Sequence, residues 1–102
     1  MPKRKVASIL WTERSLQNAI SIKEYLISSF SKKEVDSFYA VLQSFEIAVC
    51  TFPELYPESS DRKNIRRAVL SKVLSAYYRA NNGKIEVIAL LDNRCDISQW
   101  LL

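Results

Sequence analysis

The sequence predicts an α+β domain in the order strand, helix, helix, three strands, with an antiparallel sheet packed against a helical hairpin. Three observations carry this prediction. A short β-branched and aromatic run opens the chain, apolar residues then recur at helical spacing from 16 to 52, and three strand-like runs follow a loop of turn formers.

Val6-Ala7-Ser8-Ile9-Leu10-Trp11 has the composition of a strand, and Thr12 after it offers an oxygen to cap a helix. Leu16, Ala19, Ile20, Lys23, Leu26, Ile27 and Phe30 follow the three-four spacing of a helix face, with the Lys23 stem lying along the core edge. Ser31-Lys32-Lys33-Glu34 has the form of a capping box and predicts a second helix start. Val35, Phe38, Leu42, Phe45, Val49 and Phe52 continue it to Pro53, which stops it. At about 1.5 Å per residue this makes a rod of about 30 Å, antiparallel to the first because the connection is so short.

Residues 53 to 61, Pro-Glu-Leu-Tyr-Pro-Glu-Ser-Ser-Asp, hold neither period and read as a loop. Ile65 to Leu70, Val73 to Arg79 and Lys84 to Leu91 then read as strands, with Asn81-Asn82-Gly83 supplying positive φ for a tight hairpin. In the last strand Ile85, Val87, Ala89 and Leu91 should share one face and Glu86, Ile88 and Leu90 the other. Both faces are apolar, as in a strand inside a covered sheet.

The chain has 102 residues, 48% of them hydrophobic, which suits one domain over 1–102 with its own core. Its longest apolar run, Val87-Ile88-Ala89-Leu90-Leu91, falls far short of the roughly 20 residues of a membrane span. No apolar h-region follows Met1-Pro2-Lys3-Arg4-Lys5, so a cytoplasmic location without a membrane partner is expected. Cys50 and Cys95 lack metal-ligand spacing and there is no histidine, so no metal is expected; both read as ordinary thiols, Cys50 in the core and Cys95 at a strand end. With a single glycine, Gly83, no phosphate loop is available and no cofactor is expected.

The net charge of +4 is unevenly spread. Residues 31 to 61 are mainly acidic, whereas Arg62, Lys63, Arg66, Arg67, Lys72, Arg79 and Lys84 follow with no acid among them. Such a stretch suits a negative partner, either nucleic acid or an acidic protein segment. Arg66 and Arg67, adjacent in a strand, point to opposite faces. Were a neighbouring strand to bring one of them to Arg79 or Arg94, the sheet would hold a guanidinium cluster for phosphates or carboxylates. Tyr77 and Tyr78 stand beside it, either stacking on bases or split between core and surface. Without histidine there is no Ser-His or Cys-His pair. Asp92 and Asp96, four apart at a strand end, converge for acid-base work only if the chain bends there; alternatively Asp92 and Asn93 close the strand by local bonds to backbone.

The order of elements and the wording of several segments resemble the RelE/ParE superfamily of bacterial type II toxin-antitoxin toxins. The resemblance runs nearly end to end: the first strand closing on Trp11, Ala19 within "LQNAISIKEYL", the "FPELYP" loop, "IRRAVLSKVLSAYYR" and "IEVIALLDNRCD". It implies a sheet against a helical hairpin and one of two activities. RelE-like members cut mRNA on the ribosome with basic residues and a proton-transfer residue near the C-terminus, often tyrosine. ParE-like members, known as plasmid stabilisation proteins, inhibit DNA gyrase by protein contact.

The tail here, Cys95-Asp96-Ile97-Ser98-Gln99-Trp100-Leu101-Leu102, holds no tyrosine, histidine or lysine, and its apolar end reads as a clasp on the domain or a partner surface. The resemblance therefore implies a ParE-like toxin with no catalytic residue, neutralised by a small antitoxin with an acidic C-terminal segment. Arg62, Lys63, Arg66, Arg67, Tyr77, Arg79, Arg94 and Trp100 are the candidates for antitoxin or target binding. The alternatives are a RelE-like mRNA endonuclease using Arg66, Arg67, Arg79 and Arg94, with ribosome and mRNA as partners, or a non-toxic antitoxin-binding module.

Overall fold

The computed structural model describes residues 7–60 and 62–94. Strand β1 (Ser8–Trp11) leads into α1 (Glu13–Ser29) and α2 (Lys32–Thr51), followed by β2 (Arg66–Val69), β3 (Leu74–Asn81) and β4 (Lys84–Asp92). The order of elements is the predicted one. The four strands form one sheet in the order β1-β4-β3-β2. β2 and β4 run antiparallel to β3, but β1 runs parallel to β4, from Ser8 opposite Lys84 to Trp11 opposite Val87. The sheet is thus mixed rather than antiparallel throughout. The direction of β1 depends on which distant strand it joins, and a local pattern carries no information about that choice.

β1 stops at the level of Val87 while β4 continues to Asp92, so the rest of that strand edge needs other partners. The start of α1 supplies them. Thr12 Oγ1 donates to the Ile88 carbonyl at 3.2 Å, and Asn18 Oδ1 accepts from the Leu90 N–H at 3.1 Å. Thr12 also caps α1 as predicted, accepting from the Ser15 N–H at 3.2 Å. The buried face of α1 is consequently Ser15, Asn18, Ile22 and Leu26. This corrects the predicted face: Leu16, Ile20, Ile27 and Phe30 are 46–58% exposed, because a helix set against a strand edge turns inward the polar groups that the edge requires.

α2 behaves as its spacing predicts, burying Val35, Phe38, Leu42, Phe45 and Val49; Phe52, the C-cap, stays half exposed. The predicted capping box does not form. Ser31 makes no side-chain cap bond, and the Glu34 carboxylate turns instead to Arg94, 3.5 Å away. The β3–β4 hairpin closes through Asn82 (φ 50°) and Gly83 (φ 76°), the two positive φ angles of a tight primed turn. Tyr77 faces Ala89 but Tyr78 faces Val87, so Ile88 is an extra residue in β4. This bulge overturns the simple alternation: the buried set is Ile85, Val87, Leu90 and Asp92.

Phe45 of α2 lies at the centre of the core, edge-on to Trp11 at 6.5 Å and to Tyr78 at 5.7 Å, with Tyr56 tilted against it at 6.4 Å. The Tyr78 hydroxyl donates to the Pro53 carbonyl at 2.9 Å and fastens the loop after α2 to the sheet. Trp11 Nε1 donates to Glu46 at 2.6 Å. Cys50 is buried as expected and free of any disulfide, its thiol pushed up first by burial and then by Glu46. Cys95 lies outside the described residues.

Two outcomes test this arrangement. Asn18→Ala leaves the Leu90 N–H orphaned and should cost about 1–3 kcal/mol in urea denaturation, whereas Leu16→Ser should stay within about 0.5 kcal/mol. Burial raises the Tyr78 pKa above its ordinary value. The unfolded chain then releases this proton first, so stability falls as pH rises past about 10. Thermal melts of Tyr78→Phe should show a weaker alkaline loss than the parent.

A candidate basic binding face

Alternation along β2 and β3 decides which cations share a surface. Ala68, Ala76 and Tyr78 are buried toward α2, and Arg66, opposite Tyr78, shares that side. Its Nη1 donates to the Tyr56 carbonyl at 2.7 Å, and Glu58 bridges to it in the sheet, so Arg66 anchors the loop at the β2 edge. Arg67 sits opposite Tyr77 on the face that carries neither α1 nor α2. Arg79, two residues beyond Tyr77, lies on that face diagonally from Arg67, a separation of about 7–8 Å between backbones. Opposite Arg79 is Glu86, which takes its Nη1 at 3.3 Å. Lys84, two residues before Glu86, extends the same face to the hairpin end.

Tyr77 and Tyr78 are divided between surface and core: Tyr78 is fully buried, Tyr77 partly exposed beside Arg67. Arg62 and Lys63 are exposed in the turn before β2, where Asn64 takes φ 67°.

Arg94 is elsewhere. It stands at the opposite end of the β3–β4 ladder from Arg79, next to the tip of the helical hairpin. Asp92, with no exposed surface, accepts from Arg94 Nε at 3.0 Å, from Nη2 at 2.7 Å and from the Arg94 backbone N–H at 2.8 Å. Glu34 lies 3.5 Å from Nη1, and the guanidinium covers the Phe30 ring at 5.4 Å. These contacts, the Asp92 hydrogen bond foremost, raise the Arg94 pKa further. Asp92 thus closes the strand by local bonds and holds Arg94. Asp96, its suggested partner in acid-base work, and Trp100 lie outside the described residues.

The arrangement therefore brings Arg67, Tyr77 and Arg79 together and separates them from Arg66 and Arg94. Sequence reasoning missed Glu34, Phe30, Tyr56 and Glu86 as the groups that engage the arginines. Of these only Glu86 carried a local signal, through its place across a two-residue hairpin from Arg79. A cavity of about 570 Å³ between the end of α2 and the β3–β4 hairpin is lined by none of the predicted site residues. Among the described residues no cluster of three or more His, Cys, Asp or Glu side chains is placed to hold a metal ion, and no helix is long and apolar enough to cross a membrane.

Known structures share this architecture. A chain of the chromosomal ParDE TA system from P. aeruginosa superimposes with a TM-score of 0.72 at 12% identity, over 86% of this chain and 97% of that one. A conserved hypothetical protein from Helicobacter pylori superimposes with a TM-score of 0.57 at 10% identity, over 86% of this chain and 96% of that one. No family model and no curated protein matches the sequence. At such identities the likeness concerns the fold: the chain has the RelE/ParE toxin fold.

The two kinds of ion pair should separate on mutation. Arg94→Ala strands the buried Asp92 carboxylate and should cost about 3 kcal/mol or more. Arg79→Ala breaks a solvent-exposed pair and should cost less than about 1 kcal/mol. Chemical denaturation of both variants reads the difference directly.

Proposed function

We propose that this chain is the toxin of a type II toxin-antitoxin pair, and that it acts in the ParE manner, by contact with DNA gyrase, with no bond cleaved. Its antitoxin lays an acidic, apolar-studded segment along the sheet face that carries Arg67, Tyr77 and Arg79, with Lys84 at its end and Arg62 and Lys63 beside it. The shared fold with a chain of a ParDE TA system supports the toxin reading.

The observation that favours contact over cleavage is the dispersal of the arginines. Stabilising a phosphoryl transition state requires positive groups and a proton-transfer group aimed at one phosphate. Arg66 is held by the Tyr56 carbonyl, Arg94 by Asp92 and Glu34 at the far end of the sheet, and Arg79 by Glu86. The Tyr78 hydroxyl is committed to Pro53. An interface with an acidic segment has no such requirement, since it responds to charge summed over a surface.

One observation favours the second reading, a ribosome-dependent mRNA endonuclease. Arg67, Tyr77 and Arg79 stand side by side on the face that carries neither α1 nor α2, where an aromatic ring between cations can meet a single strand.

The purified chain should inhibit gyrase supercoiling and leave messages intact in a translation extract. Cleavage within codons, with supercoiling untouched, would transfer the assignment to the endonuclease. Association with the antitoxin should be faster at low salt, and the double charge reversal Arg67→Glu with Arg79→Glu should slow it at least about tenfold with little change in release. An on-rate indifferent to both salt and charge reversal would remove the electrostatic part.

A further inference from the structure

The outer side of the helical hairpin carries two ridges that the core does not use. On α1, Leu16, Ile20, Lys23 and Ile27 follow one another at four, three and four residues, and the three apolar members are about half exposed. On α2, Asp36, Tyr39, Gln43 and Ile47 follow at three, four and four, all of them exposed. The ridges are neighbours. Lys23 and Ile27 from the first and Asp36 and Tyr39 from the second line one groove of about 450 Å³ between the helices, with Lys32 and Val35 at the hairpin tip. Single apolar side chains on a surface need no explanation, whereas a contiguous patch with a polar rim marks a contact.

The charges on this patch point to its occupant. In a two-fold contact a patch meets its own copy turned round, so a surface of one sign repels itself. Here the α1 ridge carries a cation, Lys23, and the α2 ridge an anion, Asp36. Among the described residues neither has an ion-pair partner within its own chain. The two helices are antiparallel, so a two-fold axis along the groove lays α1 of one copy over α2 of the other at the same level. Lys23 then comes within a helical turn of the copy's Asp36, and the symmetry makes that pair twice. Leu16 and Ile20 meet the end of the copy's α2 ridge that holds Gln43 and Ile47, so apolar side chains cover one another on both flanks.

We propose that a second copy of this chain docks on the outer face of the helical hairpin, α1 upon α2 in both directions. The size of the face sets the strength of the pairing. With α1 about 25 Å long and packed helices about 10 Å apart, the hairpin offers each copy roughly 25 by 20 Å, or about 500 Å². Stable complexes bury about 800 Å² on each partner, so this dimer exchanges with monomer in the micromolar range. Pairing in this way leaves the sheet face with Arg67, Tyr77 and Arg79 uncovered on both copies, because that face carries neither helix.

Sedimentation of the full chain over a concentration series tests this. The natural chain should pass from monomer to dimer as concentration rises. Lys23→Glu alone and Asp36→Lys alone should each weaken the dimer at least about tenfold, since each sets like charges opposite one another twice. An equimolar mixture of the two variants should pair again, because both contacts then join opposite charges. A chain that stays monomeric up to millimolar concentration overturns the proposal and leaves the face to a different protein. A dimer indifferent to both reversals, or a mixture no tighter than either variant alone, overturns it as well. If circular dichroism shows a variant unfolded, methyl spectra of the natural chain decide on dilution. Shifts of Ile20 and Ile27 that move with concentration support the pairing, and shifts that stay fixed exclude it.

Discussion

The architecture depends on a mismatch of strand lengths. β1 ends at Trp11, but β4, its neighbour, runs five residues further, from Ile88 to Asp92. Each buried backbone group left without a partner costs about 1–3 kcal/mol, against about 5–15 kcal/mol for a whole domain. The exposed edge therefore has to be answered by something other than a strand. Thr12 and Asn18 answer it from α1, which places that helix where another strand would have lain. The course of α1 sets the position of the hairpin tip, and the tip brings Phe30 and Glu34 to the end of β4. There the fully buried Asp92 already holds Arg94, and Glu34 completes the pairing of the guanidinium. One short strand thus determines where the helical layer sits and how the last strand is secured.

The same mismatch explains which parts were legible in the sequence. α2 was readable because it meets one apolar surface and repeats one period, from Val35 to Val49. α1 was readable as a helix but not as to its face. Its inward side carries Ser15 and Asn18 to serve a strand edge, and hydrophobic spacing cannot signal a polar requirement set by a strand seventy residues away. The hairpin was readable from Asn82 and Gly83, whose backbone tolerance is a property of those residues alone. The bulge at Ile88 has no such marker, since it comes from fitting β3 against β4, and it moved Leu90 and Asp92 into the buried set in place of Ala89 and Leu91. The site divides in the same way. Strand alternation alone put Arg66 and Arg67 on opposite faces, whereas the Tyr56 carbonyl and Glu34 reached Arg66 and Arg94 only through the folded chain.

A run of cations in sequence also proves to be a poor guide to a cluster in space. Residues 62–84 contain no acid, yet the fold imports partners from outside the run: Glu86 to Arg79 and the Tyr56 carbonyl to Arg66. These engagements differ in strength. The Arg79–Glu86 pair is open to water, with 48% and 41% of the two side chains exposed, and solvent screens it. Arg94 and Asp92 are joined in a setting where the carboxylate has no exposed surface. The first pair can exchange its carboxylate for one on a partner at little cost. The second is part of what keeps the sheet end closed.

Gripping and cleaving make different use of such a layout. A surface that captures an acidic segment works through potential summed over roughly a Debye length, about 8–10 Å at moderate salt. On that scale Arg67 and Arg79 act jointly from their diagonal positions, Lys84 adds to them, and Glu86 subtracts without abolishing the field. A phosphoryl-transfer site works at hydrogen-bond range, where several cations and a proton-transfer group have to converge on one phosphate. Arg67 and Arg79 share one face of the sheet, whereas no regrouping of side chains carries Arg66 through the sheet or Arg94 along its whole length. The layout thus satisfies the weaker geometric demand of association, and this is the physical ground on which the proposed contact reading rests.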